Sequence, residues 1–451
     1  MSVSKMNKFE YVVKLNKNSL TDKICLDNIT KRQLSTYYEW VAIMDKLLMI
    51  ADDLTGALDT GVAFASAGIA TCVGQGDYFL HNSEAASCAV QVSVVESRHI
   101  PKEQAYQGVY EIVRKAEDCA FARIYKKTDS ALRGNIGAEL AAARSASGEN
   151  TLYFVPAYPE MGRITKDGIH YINRNIPVAE SVFGLDPFNP VTHSAVLDVI
   201  RETTTAEAYR ADLSFAEYPK GIAVFDASTD EEVLRIARHL VEDRNAKLFA
   251  GCAGFANALR ETLDFKKEDQ FDRYPNGNLI VFCGSINPIS LAQCQEAVSR
   301  GAPSFHLMHS QGYSETDTLV EGIAAAAEHN PITVFDTGST DVSSDQGGMV
   351  IAEKVSYVIK GVLKKKPDAV TFVIGGDTLI AFIKNLEIEM VFPLGELFPG
   401  VVLSKYRYQG KWQFLISKSG GFGEKDLLHK IYSKINQRTN KIGRCIQGIL
   451  W

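Results

Sequence analysis

The stretch KLLMIADDLTGALDTG, Lys46 to Gly61, decides the fold. Its apolar run, Leu47 to Ala51, has the length and continuity of a strand buried on both faces, as in a parallel sheet. Asp52 and Asp53 end that run, and open α/β sheets hold their ligands at the carboxyl ends of strands. From Ala57 through Val62, Ala63 and Ala67, small apolar residues recur at helical spacing, so the acids stand between a strand end and a helix start. One Asp suffices to cap such a helix, which leaves the second acid in need of another reason.

Working outward, strands and helices alternate. Strands are expected at 70–74, 89–95, 121–126, 151–155, 222–226 and 248–251, with helices at 102–116, 137–146 and 231–245 among them. After the polar segment 264–278 the alternation resumes, with strands at 279–283, 304–308, 331–336, 369–374 and 401–406 and helices at 288–299, 316–328, 348–364 and 378–386. This pattern is that of an α/β protein of two lobes, each a mostly parallel sheet flanked by helices, with a cleft between them for a small ligand. The expected domains are 44–263 and 279–428, joined by a linker at 264–278. Residues 1–43 read as an extension outside the core and 429–451 as a tail.

Composition narrows the function classes. The chain of 451 residues is 46% hydrophobic and 23% charged, with a net charge of -6, so it offers no basic footprint for nucleic acid or anionic membrane. No apolar run approaches the roughly 20 residues that span a bilayer, and the N-terminus has no signal-peptide pattern. The eight cysteines show no C-x-x-C pair, which suggests neither zinc nor a disulfide framework and fits free thiols in a cytoplasmic protein. No histidine cluster suggests a transition metal.

Four blocks carry a resemblance. IADDLTGALDTG (Ile50–Gly61), KKTDSALRGNIGAEL (Lys126–Leu140), IGGDT (Ile374–Thr378) and SGGFG (Ser419–Gly423) resemble, in this order, the motifs of the four-carbon acid sugar kinases, a family long catalogued only as a domain of unknown function. The resemblance runs from about residue 44 to about residue 428 and implies ATP-dependent phosphorylation of a small acid such as D-threonate, D-erythronate or 3-oxo-tetronate. The KTDS-LRGN wording is more similar to the threonate and erythronate kinases. A kinase for 3-oxo-tetronate or another polyol acid, and a sugar-acid-binding regulator without turnover, stay open. The implied partners are the acid and ATP, with Mg2+ brought by the nucleotide; homo-oligomerisation is left open.

Phosphoryl transfer needs amides and cations around the phosphates, a metal ion and a group that orients the attacking hydroxyl. Gly375 and Gly376 follow a strand and precede a helix, so their amides can face an anion, with Asp377 as a helix cap and Thr378 beside it. Gly420, Gly421 and Gly423 allow close backbone approach to a nucleotide. Gly284 and Ser285, again after a strand, form a third candidate contact with ATP. There is no P-loop, no convincing GxGxxG after the first strand, and no DxDxT, because Thr55 stands where that motif needs its second Asp.

For the acid, Lys126, Lys127 and Arg133 flank Thr128, Asp129 and Ser130 after a strand, and Arg offers a bidentate partner to a carboxylate. Arg98 resembles the family's arginine that contacts carboxylate or hydroxyl. Asp53 is the preferred group to orient or deprotonate the terminal hydroxyl, with Asp129 as second choice and Lys127 as the balancing charge. Asp52 completes the substrate set. Arg163 lies in VPAYPEMGRITKDGIHYINRNIPVAES; the matching stretch of the family it resembles lies between the lobes, so the resemblance implies a lid or cleft wall, while the residues alone also read as a long connecting loop. Asp336 and Asp377 are candidate Mg2+ ligands.

Overall fold

Leu47–Ala51 forms strand β1, buried along its whole length. It pairs in parallel with β3 (Val90–Val94) on one side and β4 (Arg123–Lys127) on the other. Beyond β3 lies β2 (Thr71–Gln75); beyond β4 follow β11 (Leu248–Gly251), β5 (Thr151–Val155), β10 (Gly221–Phe225) and β9 (Ala208–Ala211), all parallel. In the computed structural model the described residues are 45–436, apart from 120, 187–188, 268–274, 308–312, 338–344 and 419–420. The expected extension, the middle of the linker, the end of the tail and Gly420 lie outside them.

The second half repeats the arrangement. β13 (Ser304–His306), β14 (Ile332–Asp336), β12 (Leu279–Cys283) and β15 (Val370–Ile374) lie side by side in parallel, and β18 (Lys411–Lys418) adds in parallel to β15. Antiparallel β17 (Val401–Tyr408) and β16 (Met390–Phe398) then carry the ladder from β18 to β2. Among the described residues the two expected sheets are thus joined edge to edge into one of 15 strands. In β16 the apolar run is broken by Pro393 and Gly395, which read as turn residues, and a register shift falls between them.

Among the described residues, the helices of eight or more residues are α1 (Leu54–Ser66), α2 (Lys102–Lys115), α3 (Ile136–Ser147), α4 (Val196–Thr203), α5 (Asp230–Glu242), α6 (Ala253–Thr262), α7 (Pro288–Ser299), α8 (Tyr313–His329), α9 (Asp345–Lys365), α10 (Gly376–Asn385) and α11 (Leu427–Asn436). α11 crosses the expected start of the tail at 429, because Leu427, Leu428, Ile431 and Ile435 put a buried apolar stripe on one face. The segment read as a lid folds into a separate antiparallel sheet of β6 (Ile164–Lys166), β7 (Ile169–Ile172) and β8 (Ile176–Pro177). Its Ile172 packs with Val178 and Val191 on Ala131 of the KTDSALRGN loop. One apolar cluster runs through both halves, from Leu47 and Val92 to Phe282, Val373 and Phe382. Among the described residues no helix is long and apolar enough to cross a membrane.

Candidate active site

The acids are positioned by the strand that precedes them. Asp53 caps α1: its Oδ1 accepts the Gly56 N–H at 3.0 Å, while its Oδ2 lies 2.9 Å from Arg98 Nη1. Asp52 is buried, with Oδ2 held by Arg98 Nε at 2.7 Å and Nη2 at 2.6 Å. Asp129, just after β4, lies 3.6 Å from Arg98 Nη2. Arg98, just beyond β3, therefore gathers three carboxylates from the ends of neighbouring strands. The three carboxylates raise the guanidinium's proton affinity against the opposing effect of burial.

Asp129 is held as firmly from its other side. Arg133 Nε and Nη2 each reach it at 3.0 Å, and the backbone N–H of Ala131 donates at 3.0 Å. Burial pushes its carboxyl up, but Arg133, Arg98 and Lys127 together outweigh burial and hold it well below the usual range. Arg133 also pairs with Asp186 at 3.2 Å and stacks 5.1 Å from the Phe183 ring centre. Arg163 faces the same ring at 5.8 Å. Among the described residues no carboxylate lies within 4 Å of Arg163 in an ion pair, and its Nε is buried without a partner.

Lys126 and Lys127 part company, because successive residues of a strand face opposite sides. Expected among the substrate contacts, Lys126 is instead fully enclosed, with Nζ 2.9 Å from Glu139 Oε2 of α3 and donating to the Lys127 carbonyl at 2.7 Å. Burial raises the Glu139 carboxyl, with Lys126 opposing. Lys127, level with Ala51 of β1 and Gly251 of β11, points toward the acids. A methyl group on Gly56 would stand 2.6 Å from Lys127 Nζ and 2.6 Å from Asp53 Oδ1, so only glycine leaves that gap open. Asp52 Oδ1 and Thr128 Oγ1 are buried polar atoms without a hydrogen-bond partner, a condition that calls for an explanation. His170 of β7 donates or accepts at 3.0 Å to Thr165 Oγ1 and reaches the Ser130 carbonyl at 3.0 Å, tying the small sheet to the loop that carries Asp129.

The glycine turns collect at the ends of three adjacent strands. Gly284 N–H donates to the Ile374 carbonyl and Gly375 N–H to the Lys418 carbonyl, each at 3.0 Å, so the ends of β12, β15 and β18 meet. Gly284 abuts Thr378 so closely that a methyl group there would fall 2.0 Å from its hydroxyl oxygen. Gly375, at φ +116°, starts α10 without a side-chain cap. Asp377 thus does not cap the helix as expected; it is exposed in the first turn, where a carboxylate favours the helix dipole. Gln293 of α7 donates at 3.0 Å to the carbonyls of Phe422, Gly423 and Glu424, fixing the glycine loop that holds Gly421. The Ser285 hydroxyl accepts from the Asn287 N–H at 3.2 Å. Asp336 is buried, with His306 Nδ1 at 2.7 Å. Among the described residues no group of three His, Cys, Asp or Glu side chains could hold a metal ion.

The two sets of turns approach one another. A methyl group on Gly376 would lie 3.9 Å from Thr55 Oγ1, at the start of α1. One residue of this edge escaped the sequence reading: Asp59, on the same face of α1 as Thr55 and Gly56, although it stands within the quoted motif.

Acids clustered round an arginine at the ends of one set of parallel strands, with glycine turns at the ends of the next, give an α/β protein with two polar sets of turns side by side. Comparison with known proteins agrees. The family model of a sugar-binding N-terminal domain matches residues 47–259, and that of a nucleotide-binding C-terminal domain matches residues 280–428. The chain is 28% identical over 420 residues to a D-threonate kinase of Salmonella typhimurium, covering 85% of this chain and 96% of the relative. It is 26% identical to a 3-oxo-tetronate kinase of Methylobacterium radiotolerans, covering 84% and 96%. A Haemophilus influenzae protein of the family DUF1537 shares the fold at a TM-score of 0.73 and 20% identity, covering 86% of this chain and all (100%) of that one. The chain belongs to the four-carbon acid sugar kinase family, whose members are ATP-using carbohydrate kinases.

Proposed function

We propose that the protein transfers the γ-phosphoryl group of ATP, carried as its Mg2+ complex in the cytoplasm, to the terminal hydroxyl of a four-carbon sugar acid such as D-threonate or D-erythronate. The observation that carries this reading is the approach of Thr55 to Gly376, which brings the acid-rich turn of β1 against the glycine turn of β15. Two anionic substrates must be held against each other for in-line transfer, and positioning supplies most of the rate in such reactions.

Residues 44–263 would bind the acid and 279–428 the nucleotide. Asp52, Asp53 and Asp129, fixed by Arg98 and Arg133, offer acceptors to the polyol hydroxyls. Asp53 is assigned the terminal hydroxyl, a reading supported by its being the most open of the three, with 27% of its side chain exposed against 3% and 9%. Arg163, whose charge meets no carboxylate among the described residues, suits the carboxylate of the acid. Lys127 balances the charge that gathers between the reactants. Gly284, Ser285, Gly375, Gly376, Thr378, Gly421 and Gly423 line the nucleotide side.

A coupled assay of ADP release over D-threonate, L-threonate, D-erythronate and 3-oxo-tetronate tests the reading. Release is expected only when Mg-ATP and one of these acids are both present. Tight binding of an acid with no ADP released under any combination would instead identify a regulator.

A further inference from the structure

We propose that Asp59, one turn into α1, takes the proton of the acceptor hydroxyl as that oxygen attacks the γ-phosphorus. The inference rests on the kinase reading above and deepens it by naming the base.

Placement comes first. A helical side chain leans toward the N-terminus of its helix and covers the preceding turn. For Asp59 that turn is Thr55–Gly56, one residue of which abuts the glycine turn at Gly376 and the other the Lys127 amine. Asp59 is therefore on the strip of α1 between the two substrate regions. It is also exposed, and among the described residues its carboxylate takes part in no hydrogen bond or ion pair.

Asp53 differs on each count. Its Oδ1 is committed to the Gly56 N–H and its Oδ2 to Arg98, so proton uptake there would cost the helix cap or the ion pair. It can orient a hydroxyl through remaining lone pairs without leaving either partner.

The surroundings of Asp59 suit proton transfer. Although solvent reaches it, protein crowds it enough that lost hydration raises its carboxyl to about 6; Lys127 opposes this, and Asp53 and Glu396 add to it. These are the charged groups facing it from β4, from its own helix start and from β16. Of the other elements packed on α1, α6 offers Arg260, bound at 3.1 Å to the Ala63 carbonyl further along the helix. α10 offers Asp377 in its first turn and Lys384, the latter paired with Glu96 at 2.6 Å. A base with such an affinity is unprotonated near neutrality and still close enough to operating pH to share the proton.

The step balances as follows. The substrate oxygen forms a bond to the γ-phosphorus while the bond from that phosphorus to the β,γ-bridging oxygen breaks, and its electron pair leaves with ADP. The hydroxyl proton passes to the Asp59 carboxylate and then to solvent.

The test compares wild type, Asp59→Asn and Asp59→Glu, using whichever four-carbon acid supports most turnover, with kcat/KM measured across the range from acid to alkaline pH. Wild type is expected to lose activity on the acid side with an apparent pKa near 6. Asp59→Asn should lower kcat by about 10²–10⁴-fold and flatten that limb, with ATP affinity by titration calorimetry unchanged and the melting temperature not lowered. Asp59→Glu should restore part of kcat and the limb with it. An Asp59→Asn protein that keeps near-normal kcat or an intact acid limb overturns the assignment of Asp59 alone. A wild type that phosphorylates none of the acids overturns the kinase reading itself.

Discussion

At Arg98 one planar guanidinium meets three carboxylates, which a fork of five N–H donors can satisfy together and an ammonium cannot. Its side chain is only 10% exposed, so these pairs are weakly screened and each acid depends on the cation for compensation. Arg98→Ala is expected to cost roughly 3–5 kcal/mol of stability, the usual result of removing one partner of a buried pair. It should also abolish binding of the acid while leaving ATP affinity nearly intact, and Arg98→Lys should recover only part of either loss. Thermal melting with ligand titration checks this; a variant as stable as the wild type would contradict the organising role. In the sequence Arg98 stands, by resemblance, as a cation for the substrate's carboxylate or hydroxyl. Its commitment to Asp52, Asp53 and Asp129 depends on the pairing of β1 with β3 and β4, which no local spacing reveals. Lys126 shows the same limit: adjacent in sequence to Lys127, it is carried by the strand alternation to the opposite face.

β9 and the helices α4, α6 and α11 escaped the reading, but most of the parallel strands, β1 and β15 among them, were legible as short apolar runs ending in glycine or acid, and helices such as α2 and α5 by their apolar stripes. β16 and β18 were not, since Pro393 and Gly395 mimic a turn in one, and Lys411, Trp412 and Gln413 open the other with no apolar run. The small sheet β6–β8 was hidden too: its strands have four residues or fewer, and its place is set by contacts with a distant loop. His170 is one such contact, and it makes the small sheet sensitive to pH. Burial lowers its imidazole from 6.5 to about 4, with the Ser130 carbonyl opposing. The unfolded chain then takes up the proton first, so this stability is fully present above about 6.5 and drains away as pH falls toward 4. From about pH 7 to about pH 5 the loss should be on the order of 2 kcal/mol. Asp59 acts in the reverse sense, its raised affinity favouring the folded state as pH falls through 6, so a comparison of proteins is needed. Urea midpoints at both pH values should drop further for wild type than for His170→Gln, and equal drops would remove His170 from this role.

Across the whole molecule the joining of the two parallel halves changes what motion the site can use. Two lobes on a linker suggest hinge closure over the substrates. Here β16, β17 and β18 complete one ladder from β13 to β9, an apolar cluster spans both halves, and Lys384 and Glu96 pair across them. Separating the halves would break the pairing of β16 with β2 at Met390 and Val391 and expose the apolar cluster that spans both halves, which opposes both rigid-body opening and independent unfolding. Closure over the substrates is accordingly assigned to loops and side chains along the sheet edge. The halves are expected to unfold as one cooperative unit despite the chain's length. Far-UV circular dichroism and intrinsic fluorescence should give coincident urea midpoints, and calorimetry a van't Hoff enthalpy equal to the calorimetric one. On the proposed reading Mg-ATP binds one stretch of that unit, so it should raise both midpoints by the same amount, as expected when a ligand binds only the folded state. Two separated transitions, of which only one responds to ATP, would mean that the shared sheet does not couple the halves.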